Sequence, residues 1–173
     1  MNYRTLFCTF VLALVAPALV AMADEKASST AQFEQLKKLA GDWVAVAKDA
    51  NPGDRVATSI RVTSGGSAIQ ETIFPGTPKE MVTMYHLDGN HLVLTHYCML
   101  GNQPTLRAEP SSDPSRLVFK FLRAGNLQSE NDQHMDHVTL TILGPDHYTA
   151  EWTACQDGKD CHIENLDFVR KHK

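Results

Sequence analysis

Five side chains in the middle of this sequence are of the types that hold an anionic small molecule. Arg107 offers a fixed cationic fork, Tyr85 and Thr105 offer hydroxyls, His96 an imidazole that donates or accepts near neutral pH, and Cys98 a thiol. Catalysis is a weaker fit. Cys98 and His96, as nucleophile and base, stand two apart on one strand, with Cβ atoms about 6.5–7 Å apart, too far for a routine hydrogen bond. No G-x-S-x-G elbow and no supported acid pair occurs, so the reading leans away from an enzyme. His134, Asp136 and His137 are crowded enough to suggest zinc or copper, but a regular strand sends His134 and His137 to opposite faces. Chelation there needs an irregular strand start or a ligand from another strand. No metal site and no cofactor is assigned.

The elements that would position these groups are strands. After Phe33, Leu36, Leu39 and Ala40, which recur at the spacing of one short helix ending at Gly41, the hydrophobic period drops to two. Strands are predicted from Trp43 to Ala47, Val56 to Val62, Ile69 to Ile73, Met81 to Leu87, His91 to Cys98, Thr105 to Glu109, Arg116 to Leu122, Met135 to Leu143, His147 to Ala154 and Cys161 to Arg170. Ten sequential strands behind one helix predict an all-β, antiparallel up-and-down barrel, since closure removes the exposed edges of an open meander. A sandwich is the alternative. With Asp88-Gly89 as a two-residue turn, Tyr85 shares the inward face with Leu94 and His96, while His86 and His91 face solvent; a three-residue loop would exchange Tyr85 for His86. With Gly101-Asn102 as the next turn, Cys98 faces Thr105 and His96 faces Arg107. An arginine in that lumen needs an anion, because an unpaired buried charge loses its hydration without return. The anion is either a ligand or an internal acid such as Glu151, unless Arg107 reaches the rim.

Residues 1–23 have the form of a secretory signal: Arg4, an apolar run from Leu6 to Val20, and Ala21-Met22-Ala23 as the cleavage site. Cys8 lies mid-run, away from the cleavage site, which argues against a lipid anchor. Removing 23 of 173 residues leaves 150, and losing one of 16 bases leaves 15 against 20 acids, a net charge of −5. A basic nucleic-acid binder is disfavoured. Residues 24–30 form a small, polar leader expected to be mobile, and 31–173 one domain. Secretion is expected, to the periplasm if the source is Gram-negative. Of the three remaining cysteines, Cys155 and Cys161 flank the last turn and could form a cross-strand disulfide, leaving Cys98 free.

Leu39-Ala40-Gly41-Asp42-Trp43 resembles the G-x-W opening of lipocalins and fatty-acid-binding proteins, the calycin group. Arg170 resembles the basic residue that packs across that tryptophan in lipocalins. The stretches Tyr85 to Gly89, Leu94 to Cys98 and Gly101 to Pro104 are similar to uncharacterised secreted bacterial proteins with lipocalin-like barrels. The resemblance implies a barrel closed by a cation–π contact between Arg170 and Trp43, worth about 0.5–2 kcal/mol, and a cavity for an apolar or amphiphilic molecule. Interior Arg and Tyr hold a carboxylate in some fatty-acid-binding proteins, which points to Arg107 and Tyr85. Nitrobindin-like haem barrels are more distantly similar, without a matching haem-ligating motif here. The alternatives are a haem, metal or enzymatic barrel using His96, and an envelope protein with a filled interior.

Overall fold

A computed structural model of the chain describes residues 15–46 and 55–172, with side chains from Asp24 onward. Residues 1–14 of the expected signal, and Ala47 of the expected first strand, lie outside the described residues. One helix, α1 (Val15–Lys37), precedes ten strands: β1 (Gly41–Ala45), β2 (Thr58–Thr63), β3 (Ala68–Ile73), β4 (Met81–Asp88), β5 (His91–Tyr97), β6 (Gln103–Ala108), β7 (Arg116–Gly125), β8 (His134–Gly144), β9 (His147–Gln156) and β10 (Lys159–Arg170). Each strand pairs antiparallel with its sequence neighbours, and β1 pairs with β10 to close the barrel. This is the all-β, up-and-down architecture expected. No helix among the described residues is long and apolar enough to cross a membrane.

Alternation fills the lumen. Ile69, Tyr85, Leu94, Leu106, Phe119, Val138 and Phe168, one side chain from each of seven strands, belong to a single buried cluster. At one end, where the β4–β5, β6–β7 and β8–β9 connections lie, α1 caps the barrel. Phe33, Leu36 and Leu39 from the helix and its exit join the core cluster, each burial stabilising by about 1.5–3 kcal/mol. Polar groups fix the cap: Gln32 Nε2 donates to Glu109 O at 2.9 Å, Ser28 Oγ to Ser111 O at 2.9 Å, and His91 lies 3.0 Å from Glu25. Residues 24–30, read from the sequence as a polar leader, lie within this helix. Its serines and alanines permit helix, and Ser29 and Gln32 are buried by packing.

Closure depends on Gly41, Trp43 and Arg170. The guanidinium carbon of Arg170 sits 4.2 Å from the centroid of a Trp43 ring, while Trp43 Nε1 donates to Leu39 O at 2.8 Å. Arg170 also donates to the carbonyls of Ala40, Lys38 and Pro145 and to the Asp146 carboxylate. Gly41 has φ of 142°, and a Cβ there would stand 2.6 Å from Arg170 Nη1. Only glycine fits, because the guanidinium occupies the space a side chain would take.

Candidate functional site

Among the described residues, the end opposite α1 is open. Arg55, the β3–β4 connection, Met99 and the ends of several strands line a cavity of about 740 Å³ there. Its inner wall is made by buried His96, Trp152 and Ile73, its middle by Phe74, Met81, Met135 and Leu166, and its mouth by exposed Arg55, Lys79, Met99, His162 and Glu164. Among the described residues the lining is therefore mainly hydrocarbon and thioether, with charge confined to the rim. Strand alternation explains the wall, since Met81, Met135 and Leu166 sit at the open-end positions of inward-facing rows.

His96 is the one imidazole on that wall. Thr83 Oγ1 meets its Nδ1 at 2.9 Å, and its ring lies 4.9 Å from the Trp152 ring. Nε2 is thus the ring nitrogen left for the cavity. Burial lowers the pKa of His96 to about 4, so the ring is neutral at physiological pH. Deeper in the lumen, a carboxyl is sealed away from the cavity. Glu71 accepts from Tyr85 Oη at 2.6 Å and from Thr58 Oγ1 at 3.2 Å. Desolvation raises its pKa, outweighing these donors, which lower it. The Tyr85 phenol is pushed up as well, first by burial and then by the Glu71 charge.

Of the five residues singled out in the sequence, His96 and Tyr85 share the lumen, because Thr83 pairs with His96 and Tyr85 with Leu94. Tyr85 lies against Phe119 and Glu71, outside the cavity wall. Arg107 requires a correction. β5 pairs with β6 as Val93 with Arg107, Leu94 with Leu106 and Thr95 with Thr105, three residues from the expected register and so of opposite parity. The connection runs over 98–102, with Gly101 N donating to Cys98 O, rather than turning on two residues. This register carries Leu106 inward and leaves Arg107 exposed on the outer face. Thr105 moves with it, and its hydroxyl meets Thr95 Oγ1 at 3.1 Å. Glu151 is exposed and cannot be an internal partner. Cys98 is buried in the β5–β6 connection beside the cavity-lining Met99, and burial raises its thiol pKa.

The Cys155–Cys161 disulfide is also corrected, since both thiols are free. Asp160, not Cys161, stands opposite Cys155; Cys161 occupies a bulge between Asp160 and His162 and turns its Sγ toward Ala154 O at 3.5 Å. His134 is buried with its ring 4.6 Å from Phe121 and its Nδ1 on Asp132 O at 2.8 Å. Sequence reasoning did not single out Trp152 or the methionines of the wall. It also passed over Glu71, although an acid flanked by Ile69 and Ile73 at period two is a signal for an inward carboxyl. No protein-family model matches the chain, and comparison with curated proteins finds no match.

Proposed function

We propose that this chain is an exported barrel of lipocalin-like type that binds a small amphiphile in its open-end cavity, without a required catalytic step. The observation that carries the reading is the cavity itself: about 740 Å³, walled by apolar side chains and Trp152, with one neutral imidazole inside and, among the described residues, cations only at the mouth. Such a site removes a hydrocarbon body from water and leaves a polar end at the rim. Arg55 and Lys79 take the role first assigned to Arg107, meeting an anionic head group where the charge stays hydrated. His96 Nε2 offers the ligand one hydrogen bond within an otherwise apolar wall.

A second reading, haem or metal ligation by His96, draws on the same ring. Its Nδ1 is held by Thr83, which fixes the imidazole as metal-ligating histidines are usually fixed. Native mass spectrometry of protein from its own host separates the readings, because a lipid-sized adduct supports the first and a haem or metal mass the second. Fluorescence titration with a long-chain fatty acid then locates the site. Trp152 lines the cavity whereas Trp43 is sealed at the closed end, so Trp152→Phe is expected to abolish the ligand-induced emission change. No adduct, together with unchanged Trp152 emission up to the solubility limit of the fatty acid, would overturn the proposal.

A further inference from the structure

Two strands carry an extra residue near the open end. In β8 it is Asp136, between Met135 and His137; in β10 it is Cys161, between Asp160 and His162. A regular strand would turn the adjacent Asp136 and His137 to opposite faces. The bulge brings them together, with His137 Nδ1 3.0 Å from Asp136 Oδ2. Asp160 reaches the same point from beyond β9, and one donor atom from each of the three residues lies within 4.8 Å of the other two. Cys155, nine-tenths buried, stands directly across from Asp160. Among the described residues neither aspartate has a lysine or arginine partner. Lys120, opposite His137 on β7, is engaged by Glu109 at 2.6 Å.

We propose that Asp136, His137 and Asp160 form a binding site for a divalent first-row cation of zinc type, with water or the Cys155 thiolate in the fourth position. One imidazole and two carboxylates supply nitrogen and oxygen donors, the set zinc accepts in tetrahedral geometry. Bond lengths of about 2.0–2.1 Å give a donor–donor edge of about 3.3 Å. The His137–Asp136 pair already has that spacing. Asp160, exposed and on a short side chain, has to draw in by at most about 1.5 Å, a rotamer adjustment. The cation would tie β8 to β10 across β9, next to the cavity-lining Met135 and His162.

The test uses the untagged full chain stripped with a chelator and titrated calorimetrically with zinc chloride. One equivalent is expected to bind and to raise the melting temperature, and cobalt(II) in its place is expected to give the intense visible bands of a tetrahedral site. A sulfur-to-cobalt charge-transfer band would assign the fourth position to Cys155, and its absence to water. His137→Gln and Asp160→Asn are each expected to weaken zinc by at least about tenfold. His147→Gln, which removes a separate imidazole–carboxylate pair with Asp167, leaves it unchanged. Far-UV circular dichroism of the metal-free variants separates loss of the site from loss of the fold. The proposal is overturned if the wild type binds no stoichiometric zinc, or if His137→Gln and Asp160→Asn, both folded, bind it undiminished.

Discussion

His96 and Glu71 are buried ionisable groups whose protonation pulls stability in opposite directions. His96 has a folded pKa of about 4 against an ordinary 6.5, so between these values the unfolded chain takes up a proton that the folded chain refuses. Its contribution is fully present above pH 6.5 and is lost as pH falls toward 4, an effect of about 3 kcal/mol. Glu71 has a raised pKa, so the folded chain keeps a proton that the unfolded chain releases above 4.5. Its contribution is complete below 4.5 and is lost as pH rises through the folded value. Urea unfolding across pH is expected to give a curve bounded on both sides. His96→Gln should flatten the fall between pH 6.5 and 4, and Glu71→Gln should remove the loss that sets in as pH rises above 4.5. An acid limb that persists in His96→Gln would place its cause elsewhere. The inward placement of His96 was legible because it follows Leu92 and Leu94 at period two. The outward placement of Arg107 was not, because a polar residue in a short strand takes its face from the turn before it.

That turn is a matter of elements. Gly101-Asn102 has the composition of a two-residue hairpin, yet the chain uses 98–102, with Cys98 O and Asn102 O both accepting backbone donors across the loop. A three-residue shift in register, being odd, moved Thr105 and Arg107 to the outer face together, since side-chain direction alternates strictly. Bulges are equally silent in a sequence, which is why Cys161 was aligned with Cys155 and why a regular strand was drawn through His134 and His137. The ten strands were legible because their period-two patterning extends over most of the chain. The start of α1 was not, because Asp24 to Thr30 has no apolar stripe and is held by contacts with distant loops. If α1 is the stopper of the closed end, Leu36→Ala is expected to cost about 2–5 kcal/mol in denaturant unfolding. The latch at Arg170 gives a sharper test. Lysine cannot reproduce a planar fork that spans three carbonyls and an indole face, so Arg170→Lys should recover little of the stability lost in Arg170→Leu. Full recovery would mean that charge alone closes the barrel.

Over the whole molecule the barrel is filled at one end and hollow at the other, and that asymmetry decides how it would discriminate ligands. The chain carries 16 lysines and arginines against 20 acids, so its overall charge disfavours an anionic ligand. Selection for an anion therefore has to come from local charge at the mouth, from Arg55 and Lys79 against Glu164. These are exposed groups, worth about 0.2–1 kcal/mol each to a bound head group. Arg55→Gln combined with Lys79→Gln is thus expected to weaken a fatty acid by roughly 2- to 30-fold, and to leave an alcohol of the same chain length nearly unaffected. Raising the salt should reproduce the same difference in the wild type, since screening acts on the head group and not on the hydrocarbon. Arg107→Gln, on the outer face, should change neither ligand. Equal loss for acid and alcohol in the double variant would show that the rim residues shape the mouth rather than attract charge. A loss confined to Arg107→Gln would move the binding site out of the cavity altogether.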